Sequence, residues 1–295
     1  MKIALVTGST GFIGSHLING LQAAGWQVHV IIRKPLSECL WDRTRVKTHH
    51  HDGSTESLVS IMRETSPDVV FHLASLFLSS HRVEDVVPLM QSNVQFPAQL
   101  LEAMNQANCD KLLNTGTAWQ HYLGMSYSPV NLYAATKQAF GTILQYYVEA
   151  CRFRAITLEL FDTYGPGDTR RKLIHLLDEV ATTREVLSMS PGEQKIDLVH
   201  VDDVVRAYLI AAERLLADQC REHECYAVSS GQPVCLKELV ATFERVRGVS
   251  VPVQWGGRSY REREVMEPWS GGKSLPGWSP QISLESGLSG EFCRS

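Results

Sequence analysis

Tyr133 and Lys137 stand four residues apart, a spacing that puts both side chains on one face of a helix, about a turn from each other. An ammonium beside a phenol stabilises phenolate, so such a pair can pass a proton to or from a carbonyl or hydroxyl oxygen. Thr117, upstream, supplies a hydroxyl able to hold the same oxygen. A Tyr-x-x-x-Lys pair is also common as an ordinary amphipathic helix turn, so its meaning depends on context. That context is Thr7-Gly8-Ser9-Thr10-Gly11-Phe12-Ile13-Gly14, set between an apolar run at 2–6 and a helix-like segment at 15–24. Gly8 lets the chain turn tightly, Gly11 lets the backbone approach a pyrophosphate, and Gly14 lets the helix pack closely on the strand. The helix start offers N–H groups and a positive dipole end to phosphate, with Thr10, Phe12 and Ile13 presented there. Strand, glycine turn and helix together predict a dinucleotide site; a glycine turn without ligand is the alternative.

The second strand, 28–32, ends at Arg33-Lys34-Pro35, where a site selective for NAD places an acid on the ribose 2′-hydroxyl. Two cations there predict NADP(H), because a guanidinium pairs a 2′-phosphate that an acid would repel. The alternative is an ordinary basic strand end. A net charge of −4 gives no reason to expect nucleic acid or an anionic membrane as partner. No segment has the length of a membrane span, and the first apolar run is already used as a strand. Seven scattered cysteines without metal-ligand pairing read as reduced thiols, hence a cytoplasmic protein with no metal site. His49-His50-His51 reads as a solvated strand end rather than a metal site.

Positioning these groups requires a scaffold, and strands and helices alternate along the chain. Strands are expected at 46–50, 68–74, 111–114 and 155–160, and helices at 57–64, 86–107 and 133–151, the second of these interrupted at Pro97. The pattern predicts an α/β fold, a doubly wound parallel Rossmann sheet, with a smaller irregular C-terminal substrate-binding domain. Residues 1–163 form the expected NADP-binding domain and 164–295 mainly the substrate-binding portion, helix 202–216 returning to the first.

The chain resembles the extended short-chain dehydrogenase/reductases, the nucleotide-sugar epimerase/dehydratase group. The resemblance is carried by Thr7-Gly8-x-x-Gly11-x-x-Gly14, Asp52-Gly53, His72-Leu73-Ala74-Ser75, Asn93, Tyr133-x-x-x-Lys137, Tyr164-Gly165-Pro166-Gly167, His200-Val201-Asp202-Asp203-Val204 and the late Leu275-Pro276-Gly277-Trp278-Ser279-Pro280. It implies that Asp52 and Gly53 contact adenine and that Leu73, Ala74 and Ser75 line the cofactor. It further implies that Asn93 supports the active-site water network and that Lys137 also holds the nicotinamide ribose. Thr117 stands where the family has a catalytic serine, which keeps the donor and narrows its rotamers.

Departures from the family narrow the reaction. The sugar 4,6-dehydratases carry an Asp-Glu pair after the catalytic threonine; Ala118-Trp119 here cannot move a proton. Residues 114–121 and 161–172 look most like the 4-ketoreductases of the CDP-abequose and CDP-paratose synthase type. The implied reaction is NADPH-dependent reduction of the C4 keto group of a nucleotide-linked 6-deoxy or 3,6-dideoxy hexulose, with Tyr133 as proton donor. An NAD-dependent 4-epimerase and a catalytically silent NADP-binding regulator stay open. Arg170, Arg171, Lys172, Arg261 and Arg263 are candidates for a substrate diphosphate, Lys172 and Arg261 foremost. Trp119, Gln120 and His121 are expected to shape the sugar pocket, although His121 could equally be a packing or surface residue. In this family the helices at 86–107 and 133–151 pair as a four-helix bundle, so a homodimer is expected. Leu100, Met104, Ile143 and Tyr147 suit that face, unless they pack on the sheet.

Overall fold

The structure, a computed structural model, describes residues 1–33 and 41–290; Lys34, Cys39 and Cys293 lie outside the described residues. Its first half alternates as read: β1 (Ile3–Thr7), α1 (Phe12–Ala23), β2 (Gln27–Ile32), β3 (Val46–His50), α2 (Thr55–Thr65), β4 (Val69–His72), α3 (Val86–Met90), α4 (Phe96–Gln106), β5 (Lys111–Thr117), α5 (Leu132–Cys151) and β6 (Arg154–Leu160). The second half is shorter-stepped: β7 (Asp162–Tyr164), α6 (Leu173–Thr183), β8 (Leu187–Ser188), β9 (Lys195–Ile196), β10 (Leu198–His200), α7 (Val201–Leu216), β11 (His223–Val228), β12 (Val234–Cys235), α8 (Leu236–Arg247), β13 (Val253–Gln254) and α9 (Leu284–Ser289).

Seven strands form one parallel sheet in the order β11-β6-β5-β4-β1-β2-β3. The apolar runs that make β1 and β4 are buried on both faces, as a sheet covered by helices on each side requires. The strand order reverses between β1 and β4, and the crevice beyond the carboxyl ends of those strands is where such sheets bind ligands. The doubly wound Rossmann sheet expected from the sequence is therefore present. Its last strand, β11, was not foreseen. It opens on the polar pair His223-Glu224 and its apolar part, Cys225 to Val228, is short, yet it pairs with β6 in register from His223 beside Ala155 to Val228 beside Leu160.

Helix α5, which carries Tyr133 and Lys137, starts at a defined place because Asn131 anchors it twice. Its Oδ1 accepts the Ala134 N–H at 3.0 Å, capping α5, while its Nδ2 donates to the carbonyls of Leu78 and Ser79 in the loop after β4. The expected long helix at 86–107 is in fact α3 and α4 joined by a wider π turn, Gln91–Gln95, with Pro97 in the first turn of α4 where its missing N–H costs least. Leu100 and Met104 do not face outward. Both are fully buried with Phe140 and Leu144 between the helices and the sheet, and the apolar groups left exposed are Val86, Val87 and Met90 on α3 and Tyr146 on α5.

Beyond the sheet, β10 pairs with β7, and α6, α8 and α9 enclose a second core around Leu177, Leu239, Val240 and Phe243. The late Leu-Pro-Gly-Trp motif folds back on α7. Trp278 Nε1 donates to the Asp203 carbonyl at 2.9 Å, and the buried Asp203 carboxylate accepts the N–H groups of Gln281 and Ile282 at 3.0 Å. No described helix is long and apolar enough to cross a membrane.

Candidate active site

The glycine turn between β1 and α1 is packed too closely for side chains. A Cβ on Gly8, which sits at φ +75°, would lie 2.5 Å from the Ala74 nitrogen, and one on Gly14 would lie 2.1 Å from the Gly8 oxygen. Thr7 ties the two switch-point strands together at this spot: its Oγ1 meets His72 Nδ1 at 2.9 Å and accepts the Ala74 N–H at 3.2 Å. Burial drives His72 down to about 3, so its ring is neutral. Gly11 opens α1 without any side-chain cap, leaving the first-turn N–H groups for an external acceptor, and the buried Ser9 hydroxyl has no hydrogen-bond partner among the described residues. A diphosphate supplies what those donors lack, so the turn fits a dinucleotide. Trp41, absent from the sequence reading, braces it by donating from Nε1 to the Ser9 carbonyl at 3.1 Å.

Tyr133 lies in the first turn of α5 and Lys137 one turn on, its Nζ 6.0 Å from the phenol ring centre. The expected depression of the tyrosine does not occur in the chain alone. Burial pushes the Tyr133 phenol up to about 12, against a smaller pull from its hydrogen bond with Ser75, and burial pulls the Lys137 ammonium down to about 8. For both groups desolvation is the largest influence, and it favours the protonated phenol. Thr117 ends β5, its hydroxyl accepting the Trp119 N–H at 3.3 Å, while Gln120 braces the same turn by accepting the Thr117 N–H at 3.1 Å.

These groups line a cavity of about 210 Å³ that gathers Gly8, Gly11, Phe12, Ile13 and Gly14 with Leu73, Ser75, Thr117, Tyr133 and Lys137. Thr10, Arg33, Asp52, Gly53, Ala74 and Asn93 are not in its wall. Arg33 is exposed directly after β2. Asp52 shapes the turn into α2, accepting the Ser54 N–H and hydroxyl at 2.8 and 2.6 Å, which hold its carboxyl below the usual range. Asn93 is engaged with protein rather than facing the cavity. It accepts from the Leu76 N–H and Ser75 hydroxyl and donates to Thr136 Oγ1, which in turn donates to the Tyr133 carbonyl, so it positions the two flanks of the phenol.

A second cavity of about 440 Å³ adjoins the first, and Phe77, Trp119, Phe161, Asp162 and Lys172 line both. Arg171, Arg261 and Arg263 line the larger one and Arg170 the smaller, so the sequence-derived cations divide between them. Arg170 is held bidentately by Asp168 and lies 4.5 Å over the Phe12 ring, covering the helix start; Lys172 is paired with Asp162 at 2.9 Å. His121 is neither surface nor simple packing. It meets the buried Glu159 carboxylate at 2.9 Å and stacks on Trp269 at 3.7 Å, and despite the cost of burial the Glu159 hydrogen bond and charge raise its pKa. With Arg263, which reaches Ser128 Oγ at 2.7 Å over the Tyr122 ring, this pair fastens the loop after Thr117 to the C-terminal wall. Sequence reasoning passed over Glu159, Trp269 and Phe77. The acid inside the apolar strand Ala-Ile-Thr-Leu-Glu-Leu was the available signal for Glu159. Among the described residues no cluster of three His, Cys, Asp or Glu could hold a metal, and Cys109, Cys151, Cys220, Cys225 and Cys235 are free thiols.

Residues 4–223 match the NAD dependent epimerase/dehydratase family. CDP-abequose synthase of Yersinia pseudotuberculosis is 29% identical over 273 residues, covering 91% of this chain and 92% of its own length. UDP-glucose 4-epimerase 2 of Arabidopsis thaliana is 26% identical, covering 90% of this chain and 86% of its own. In fold, the UDP-glucuronic acid 4-epimerase of Bacillus cereus, solved with UDP-glucuronic acid and NAD, superposes with a TM-score of 0.86 at 22% identity over 99% of this chain and 98% of its own.

Proposed function

The chain belongs to the NAD dependent epimerase/dehydratase family, and within it we propose that it is a cytoplasmic, NADPH-dependent reductase of the C4 keto group of a nucleotide-linked, CDP-linked, 6-deoxy or 3,6-dideoxy hexulose. The arrangement that carries the reading is the gathering of Tyr133, Lys137 and Thr117 with the glycine turn in one cavity that adjoins a second, with Ala118 and Trp119 where proton-moving acids would serve a dehydratase. Burial raises the Tyr133 phenol and so favours the protonated form, which is the one that a ketone being reduced requires. When bound, the reduced nicotinamide supplies a hydride. Tyr133 gives its proton to O4, Thr117 holds that oxygen by its hydroxyl, and the Lys137 ammonium stabilises the tyrosinate left behind. The glycine turn receives the pyrophosphate, and Lys172 and Arg261 meet the substrate on the far side. Purified protein with NADPH should consume it stoichiometrically on a CDP-4-keto-6-deoxysugar. Interconversion of 4-hydroxy sugars with bound NAD and no net NADPH loss would establish the 4-epimerase instead.

Arg33 stands exposed directly after β2 and should pair the 2′-phosphate. Arg33→Asp should raise the NADPH dissociation constant about ten- to hundredfold and bring NADH closer to parity, read by fluorescence titration. Equal wild-type affinity for NADH and NADPH would refute this role. The exposed apolar groups on α3 and α5 support a two-fold homodimer, expected as a dimeric boundary in sedimentation at micromolar protein; a monomer there ends the idea.

A further inference from the structure

Phe77 is a large apolar residue left 40% exposed at the junction of the two cavities. Its ring meets Tyr133 edge-on at 5.0 Å and tilts against Trp119 at 5.6 Å. Phe161 lines both cavities as well, so three aromatic rings stand where the two cavities meet. Lys172 and Asp162 at the same junction are paired at 2.9 Å, with Lys172 Nζ 5.1 Å from the Phe77 ring centre.

Resting on the ketoreductase reading above, we propose that Phe77 and Trp119 are specificity-determining residues that recognise the absence of a hydroxyl on a sugar carbon flanking C4. The Tyr133 hydroxyl has to reach O4. The atoms next to C4, namely C3 on one side and C5 with its C6 substituent on the other, are then brought against the rings that flank the phenol. A methyl or methylene packs on those rings. A hydroxyl set against the rings is stripped of water and receives no bond from them in exchange. An apolar pocket of this kind rejects a ligand that merely adds a hydroxyl by a factor of about 100.

The test is calorimetric binding of CDP-linked glucose, 6-deoxyglucose and 3,6-dideoxyglucose to wild type saturated with NADP⁺, with CDP as reference. Loss of at least one hydroxyl should tighten binding about a hundredfold. Phe77→Ser places a hydrogen-bonding group in the wall and should reduce that preference below about tenfold, whereas Phe77→Leu, which keeps an apolar wall, should retain it. Equal binding of the three sugars, binding of all three no tighter than CDP, or full preference in Phe77→Ser overturns the inference. The reaction is tested separately by NADPH consumption on the 4-keto compounds with the same wild-type preparation. Preference without consumption removes the reaction and leaves the wall; consumption without preference does the reverse.

Discussion

Tyr133→Phe should lower turnover of a nucleotide-linked 4-keto sugar by a factor of about 10²–10⁴, with fold and NADPH binding retained. The substitution removes one oxygen and keeps the ring that packs edge-on against Phe77. What is lost is the proton donor, which burial holds in its protonated form with a value of about 12. Thr117 cannot replace it, because a threonine hydroxyl is a far weaker acid and is already oriented by the Trp119 N–H. The measurement is single-turnover oxidation of NADPH by both forms, with binding titrated separately. It also separates the competing readings, since a silent NADP-binding regulator would show no turnover in either form. Full reductase activity in the variant would mean that the proton comes from elsewhere.

Lys137→Met should act in two opposite directions. Turnover should fall about a hundredfold, and NADPH binding should weaken, because the ammonium that stabilises the tyrosinate and holds the nicotinamide ribose is gone. The folded chain should meanwhile become more stable. Burial alone pulls Lys137 from 10.5 to about 8, which at about 1.4 kcal/mol per unit is a penalty on the order of 3 kcal/mol for keeping the charged form at neutral pH. Because the folded value is the lower one, the unfolded chain binds more protons at this group between about pH 8 and 10.5, so the lysine's own contribution to stability should rise with pH across that window. Methionine has a similar length and no charge, and should gain about 1–3 kcal/mol at pH 7, an advantage over wild type that should shrink as pH rises above 8. Urea denaturation at several pH values checks both. A variant less stable than wild type at pH 7 would show that the lysine is not held at a cost.

How much of this was readable in advance follows from how far apart the partners lie in the chain. The glycine turn is written in eight adjacent residues and Tyr133 with Lys137 in five, and each is specified by local backbone geometry. The buried strands β1, β4 and β6 announced themselves as apolar runs. The edge strand β11 was passed over because its apolar part, Cys225 to Val228, is short and follows the polar His223-Glu224. Leu100 and Met104 suited an outward helix face until the π turn between α3 and α4 set which side met Phe140 and Leu144. The walls of the larger cavity were hidden for the same reason. Trp269 acquires meaning only by stacking on His121, and His121 only by meeting Glu159, contacts between segments that nothing local foretells.

The position of β11 bears on how the chain is made. Until residues 223–228 have left the ribosome, β6 ends the sheet with an open row of backbone donors and acceptors. The nascent protein therefore carries, through the synthesis of more than sixty residues after β6, an edge able to recruit any passing strand. Chains stopped between Leu160 and His223 would keep the glycine turn, Tyr133 and Lys137 and still be sticky, the kind of product that chaperones retain and proteases clear. A nonsense change in that interval should thus be felt first as lost protein and only secondarily as lost chemistry.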